Sequence, residues 1–193
     1  MAMRVNFVGE LGWELHHPID KQIQLFDSIV ESGEEFDLTH FGMYAMESMR
    51  LEKSYRMWGA DLTREYSILE AGLDRFVQFN KDDFVGKKAL LNQKKAGVPQ
   101  EFITLEIDTT DADAMGSEPV FLSGNSGLSG EMVGRATSGC FGHSIGKSLA
   151  LAYVKKEYGE IGTELEVEIL GERRPAQVIN ESPCDPGNKK LRA

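Results

Sequence analysis

The spacing of apolar positions divides the chain into a first half with helical periods and a second half with strand periods. Arg4 to Val8 alternates polar and apolar side chains and predicts a strand. The turn Gly9-Glu10-Leu11-Gly12 follows, and Trp13-Glu14-Leu15-His16 predicts a second short strand, so the pair reads as a hairpin. Ile23, Phe26, Ile29 and Val30 recur at helical spacing, which predicts a helix from Asp20 to Glu31 that Ser32-Gly33 closes. A second helix is predicted from about Gly42 to Lys53, with Met43, Ala45, Met46, Met49 and Leu51 apolar and Glu47, Arg50 and Glu52 among them. Ile68 to Leu73 reads as a helical turn, and Phe76, Val77 and Phe79 read as a strand. Gly86 to Ala96 reads as a basic amphipathic helix that Gly97-Val98-Pro99 stops.

Beyond residue 101 the pattern changes. Strands are predicted at Phe102–Ile107, Val120–Leu122, Glu131–Thr137, Ser148–Val154, Glu164–Leu170 and Arg173–Ile179, with an acidic loop from Asp108 to Gly116. Short strands separated by glycine turns predict a small antiparallel β-barrel or sandwich. Helices come first and strands second, so the fold class is α+β, with an internal boundary after Gly97: residues 1–97, then 98–193.

Composition narrows the function. The chain has 193 residues, 41% of them hydrophobic, which is enough for a buried core and too apolar for disorder. Lysine and arginine number 21 against 31 acidic residues, a formal net charge of −10. That balance argues against nucleic acid and against an anionic membrane surface as partners. No apolar run approaches the ~20 residues of a membrane helix. Cys140 and Cys184 lie far apart without CxxC spacing, which fits a reducing compartment and gives no zinc site. Met1-Ala2-Met3-Arg4 runs straight into the first strand pattern with no signal peptide, as if a segment preceded it.

Few residues are placed for chemistry. His16 and His17 are adjacent, and strand neighbours face opposite ways, so no metal ligand set is expected. Cys140 and His143 allow a Cys–His pairing, but Ser138-Gly139-Cys140-Phe141-Gly142 reads better as a glycine-rich turn with an incidental thiol. No nucleotide-binding glycine motif is present. Glu47 and Arg50, three apart on one helix face, read as a fold-locking pair. The hairpin leaves two readings open. Glu10 and Glu14 flank a glycine-bounded turn, and a carboxylate can accept both hydrogens of an amino group beside a ring N–H, the edge shown by pterins and guanines. The same residues also make a solvated hairpin with a packed tryptophan.

These segments resemble one family in order. Phe7-Val8-Gly9-Glu10-Leu11-Gly12-Trp13-Glu14-Leu15 resembles the Y-x-G-E-x-G-x-E hairpin of the folate-binding aminomethyltransferases, the family of the glycine cleavage T-protein. Ala45-Met46-Glu47-Ser48-Met49-Arg50-Leu51-Glu52 resembles its A-x-[DE]-S-x-R-L-E helix, and Lys81 to Leu90 its K-x-x-F-I-G-[KR]-x-A-L segment. Gly134 to Gly139 and Lys147 to Val154 are similar to its barrel motifs. Arg50-Leu51-Glu52-Lys53, Tyr55-Arg56 and Trp58 to Leu62 look most like the C-terminal folate region of dimethylglycine and sarcosine dehydrogenases.

The resemblance implies the last part of the folate-binding α/β domain followed by the C-terminal β-barrel. It implies transfer of a one-carbon unit from an N-methyl amine to tetrahydrofolate. Glu14 falls on the family's pterin-binding glutamate, Leu15 and His16 would flank the ligand, and Phe7 stands where relatives often carry tyrosine. Met46 replaces an arginine that T-proteins place near the glutamyl tail, and Asn188 to Arg192 offers no counterpart of a late tyrosine. The family's catalytic aspartate precedes the hairpin, so no catalytic residue is assigned in this chain. FAD would belong only to an upstream domain of a dehydrogenase. The leading expectation is therefore the C-terminal fragment of a folate-dependent demethylating enzyme. The rivals are a fragment of an aminomethyltransferase or other folate-dependent demethylase, and a non-catalytic structural or regulatory module. The implied partners are folate and a small N-methyl amine, with a homodimer of the fragment possible through uncovered apolar surface. The implied locations are the bacterial cytoplasm or, in a eukaryote, the mitochondrial matrix.

Overall fold

The computed structural model describes residues 1–124 and 130–193. The chain opens with a minimal antiparallel pair, β1 (Ala2–Met3) against β2 (Glu14–Leu15), in which Met3 faces Glu14. The strand predicted over residues 4–8 is therefore misplaced, and pairing falls at residues 2–3 instead. The reason is local. Asn6 Oδ1 accepts the Gly9 N–H at 2.9 Å, which folds the segment into the loop, and Phe7 turns toward Tyr55 rather than into a ladder.

Helix α1 (Gln22–Gly33) follows a 3₁₀ turn at Ile19–Lys21, and α2 spans Met43–Glu52. The apolar stripe of α1 has the predicted period, yet Ile23 and Phe26 are exposed and only Gly33 is buried on the helix. Phe76 to Phe79 is no strand: Asp74–Phe76 is a 3₁₀ turn, and Phe79 lies under the Lys94 ammonium. Helix α3 (Lys87–Ala96) leads into the second half.

Six strands then form a closed antiparallel barrel in the order β3-β6-β5-β4-β7-β8, with β8 returning to β3. They are β3 (Gln100–Ile107), β4 (Pro119–Leu122), β5 (Met132–Gly142), β6 (Lys147–Lys155), β7 (Glu164–Ile169) and β8 (Glu172–Ile179). Ile103, Leu105, Ala150, Ala152, Val154, Leu165, Val167 and Val178 fill the interior. The alternate residues of the same strands, Phe102, Leu149, Leu151 and Tyr153, pack outward against Leu51 of α2 and Ala71. Strand β6 is thus covered on both faces, which explains its unbroken apolar run.

Strand β5 continues beyond the predicted Thr137 to Gly142. The glycine-rich stretch is not a turn. Cys140 pairs with Leu149 in the ladder, and Gly139 is required because a Cβ there would stand 2.4 Å from the Ala114 carbonyl oxygen. Helix α2 docks on this hairpin through hydrogen bonds. Ser48 Oγ donates to the Phe141 carbonyl at 2.8 Å, and Glu52 Oε1 accepts the N–H groups of Ser144 (2.5 Å) and Ile145 (3.3 Å).

Candidate functional site

The β1–β2 pair carries the residues singled out by sequence. Glu14, Leu15 and His16 lie in or just after β2 and are exposed. Glu14 and His16, two apart, share a face, with His16 Nε2 3.3 Å from Glu14 Oε2. Phe7 is half-buried, its ring 6.5 Å from that of Tyr55 and nearly parallel to it. Leu15, between Glu14 and His16 in the chain, points to the opposite face, and Phe7 meets Tyr55 rather than this pair. The Glu14 carboxylate faces solvent with acceptor capacity to spare, so it can take two N–H donors at once. Glu10 is engaged elsewhere, 3.0 Å from Lys190 Nζ.

A buried ionic network lies under α2. Arg50 is 1% exposed and sits between two carboxylates. Its Nε and Nη2 donate to Glu47 Oε2 at 2.7 and 2.5 Å, and its Nη1 donates to Asp61 Oδ2 at 2.9 Å and to the Tyr55 carbonyl at 3.0 Å. Asp61 is fully buried. Its Oδ2 also accepts the Met57 N–H at 2.7 Å, and its Oδ1 accepts the hydroxyls of Ser138 (2.7 Å) and Thr137. Consecutive strand residues normally point to opposite faces. The β5 register shift between Ala136 and Ser138 lets both hydroxyls reach one oxygen. The Glu47–Arg50 pair is legible in the sequence, whereas Asp61 is not singled out there. The signal lay in Trp58 to Leu62, but the partner could not be named without the bulge.

A cavity of about 480 Å³ opens between α2 and β5, lined by Tyr44, Glu47, Met57, Asp113, Cys140 and His143 among others. None of Phe7, Glu14, Leu15 or His16 lines it. Cys140 and His143 do share its wall, but the thiol is no nucleophile. Burial pushes it up to about 12; Arg50 opposes this while Asp113, Glu47 and Glu52 reinforce it. Among the described residues, no group of three or more histidine, cysteine or acidic side chains is placed to hold a metal ion.

Comparison with known proteins agrees with this architecture. The GCVT N-terminal domain matches residues 1–81, and the glycine cleavage T-protein C-terminal barrel domain matches residues 100–185. Human mitochondrial dimethylglycine dehydrogenase is 42% identical over 181 residues, 93% of this chain and 20% of that protein. The aminomethyltransferase of Thermosynechococcus vestitus is 34% identical over 91% of this chain and 45% of its own length. Mouse mitochondrial sarcosine dehydrogenase is 32% identical over 99% of this chain and 21% of its own length. The crystal structure of aminomethyltransferase T of the glycine cleavage system from Bartonella henselae superposes with a TM-score of 0.84 at 24% identity, over 95% of this chain and 49% of that one; at that identity it speaks for the fold. The chain thus spans about a fifth of the dehydrogenases and just under half of the aminomethyltransferases. A hairpin and helices followed by a closed barrel, both halves matched in order, place this chain in the glycine cleavage T-protein family, whose members here include dimethylglycine and sarcosine dehydrogenases and aminomethyltransferases.

Proposed function

We propose that this chain supplies one wall of a tetrahydrofolate site in a larger enzyme that moves a one-carbon unit from an N-methyl amine to the folate. The observation that carries the reading is the Glu14 carboxylate, held on β2 and open to solvent within the family's hairpin sequence. Its two oxygens fit the paired N–H donors of a pterin edge. Phe7 offers an aromatic face in place of a phenol, Leu15 an apolar edge, and His16 holds Glu14 from one side. When bound, tetrahydrofolate supplies the nucleophilic amines that capture the one-carbon unit. The residues of this chain bind and orient it, and the acid that catalyses transfer belongs to another segment.

The remaining surface supports the same reading. Trp13, Ile19, Ile23, Phe26, Phe36 and Phe41 are exposed on one stretch of chain. A further part of the folate domain would cover them, with the boundary to the barrel at residues 97–98. Met46, where T-proteins carry arginine, favours a dehydrogenase-type parent over an aminomethyltransferase proper. Such a parent holds FAD in its own upstream domain and works in the mitochondrial matrix or the bacterial cytoplasm.

The test is product analysis. The complete protein encoded around this chain is supplied with dimethylglycine, sarcosine or an aminomethyl donor, plus tetrahydrofolate, and with the methylated glycines also an electron acceptor for the two electrons that oxidation of the methyl group releases. Formation of 5,10-methylenetetrahydrofolate from a methylated glycine supports the dehydrogenase reading, and formation only from the aminomethyl donor supports a T-protein parent. No product from any of them points to the non-catalytic module. Turnover by residues 1–193 alone would contradict the proposal.

A further inference from the structure

The last residues of the chain return to the hairpin. Glu181 pairs with Arg56 through both carboxylate oxygens, at 2.7 and 3.0 Å. Ser182 N–H donates to Ser54 Oγ at 3.0 Å, Ser182 Oγ donates to the Lys53 carbonyl at 2.9 Å, and Cys184 N–H donates to the Glu52 carbonyl at 3.1 Å. The segment therefore crosses the C-terminal end of α2, where unpaired carbonyls are available. It then folds on itself, with the Asp185 carboxylate accepting the N–H groups of Lys189 and Lys190 at 3.0 Å each. From there Lys190 Nζ reaches Glu10 at 3.0 Å, and the Leu191 carbonyl accepts a 3.4 Å bond from Arg4.

Lys53 joins the two sides. It is 3% exposed and has no carboxylate within salt-bridge distance among the described residues. Its ammonium donates to the Cys184 carbonyl at 3.1 Å and the Asp185 carbonyl at 2.7 Å. Its hydrogen bonds go to backbone carbonyls, with the Asp185 carboxylate acting on it through space, and a buried ammonium bonded in this way fixes those carbonyls in place. Its stem lies under Gly9: a Cβ there would stand 2.4 Å from Lys53 Cγ, and Gly9 has φ +74°. Only glycine fits so close at that backbone angle. Between Val8, Glu10, Lys53, Cys184 and Lys190 the free space is about 10 Å³, at most the room for one water. The seam is narrow there, and Lys53 and Lys190 bridge it from both sides.

We infer that Lys53 is a positioning residue: it clamps the C-terminal segment to α2, and through Gly9 and the Lys190–Glu10 pair sets the hairpin that presents Glu14. This rests on the folate reading for its consequence, while the coupling itself stands on the hairpin alone.

Lys53→Met keeps the stem under Gly9 and removes the ammonium. Hydrogen exchange on residues 1–193 reads the coupling, and tetrahydrofolate titration of the complete protein reads the consequence. Exchange should quicken about tenfold at the bonded amides of residues 182–190 and at Gly9, whose N–H is held by Asn6 Oδ1, while the amides of β6 keep their protection. Folate affinity of the complete protein should fall with it. Because Lys53→Met could unfold the chain, a second variant uses the surface. Lys190→Glu should quicken exchange at the Gly9 amide about two- to fivefold, and Glu10→Lys in the same chain should restore it, a rescue that general destabilisation does not give. Unchanged exchange at Gly9 in a folded Lys53→Met chain, or no rescue by the reversed pair, overturns the coupling. Looser exchange with folate affinity intact, in a protein that Glu14→Ala silences, overturns the positioning of Glu14. If Glu14→Ala itself leaves folate binding untouched, the folate reading fails, and quickened exchange still upholds the coupling.

Discussion

Replacing Asp61 by asparagine should cost this chain a large share of its stability. The carboxylate is fully buried and accepts four donors: Arg50 Nη1, the Met57 N–H and the hydroxyls of Thr137 and Ser138. An asparagine whose NH₂ turns to the Thr137 and Ser138 hydroxyls, which can rotate to accept, keeps its oxygen for Arg50 Nη1 and the Met57 N–H, and Thr137 retains the Leu151 carbonyl as acceptor. What is lost is the charge facing buried Arg50, and removing one partner of a buried ion pair costs roughly 3–5 kcal/mol. Glu47 still faces Arg50 at 2.5 Å, which places the expected loss at the lower end, about 3 kcal/mol. Urea unfolding followed by far-UV circular dichroism is the assay, since Trp13 and Trp58 are too exposed to report on the barrel. With an m-value of about 2 kcal/mol/M, the midpoint should fall by about 1.5 M. A midpoint shift under about 0.3 M for Asp61→Asn would refute the account of this network.

Three further outcomes follow from other parts of the molecule. Burial would raise the Glu70 carboxyl, but hydrogen bonds from Ser67, Gln100 and Gln93 outweigh it and hold it below its ordinary 4.5. A group depressed in the folded state adds stability above its unfolded value and loses it as pH falls through the folded one. Urea midpoints taken below pH ~4.5 should therefore drop, and Glu70→Gln should flatten that acid limb. Cys140, pushed to about 12, should resist iodoacetamide at about pH 8 in the folded chain and react on unfolding; mass spectrometry that found it alkylated at the rate of a free thiol would contradict its burial. Ile19→Lys and Ile23→Lys should leave the unfolding free energy of residues 1–193 within about 0.5 kcal/mol in urea titration, because neither side chain is covered here. The same substitutions in the complete protein should cost about 1–3 kcal/mol if a further part of the folate domain packs on that face.

Sequence reading recovered the barrel because each strand had its own period and its own turn. Strand β6 announced itself by a run buried on both faces, and β7 by strict alternation. Helices α1 and α2 were legible for the same reason, although the period of α1 said nothing about whether its stripe finds a partner. What failed depended on single contacts across the fold. The glycines of β5 looked like a turn because the close approach of Ala114 to Gly139 is not written in the local pattern. Residues 4–8 alternated like a strand, but the Asn6 side chain and the Phe7–Tyr55 contact drew them into a loop. Phe76 to Phe79 had strand-forming residues and no neighbouring strand to pair with. At the site, Phe7, Glu14, Leu15 and His16 came from a resemblance in the hairpin, not from any chemistry the spacing required. Asp61 and Lys53 stayed hidden because their partners are a bulge and backbone carbonyls of a distant segment.

The central claim is that Glu14 presents a folate-binding carboxylate that this chain cannot enclose by itself. Isothermal titration of tetrahydrofolate tests it most directly, with residues 1–193 alone, the complete protein, and the complete protein carrying Glu14→Ala. The account predicts saturable binding by the complete protein, weak or no binding by residues 1–193, and loss of at least about 2 kcal/mol of affinity with Glu14→Ala, as expected when a charge-assisted pair is removed. Tight binding by residues 1–193 alone, or binding by the complete protein that ignores Glu14→Ala, would contradict it.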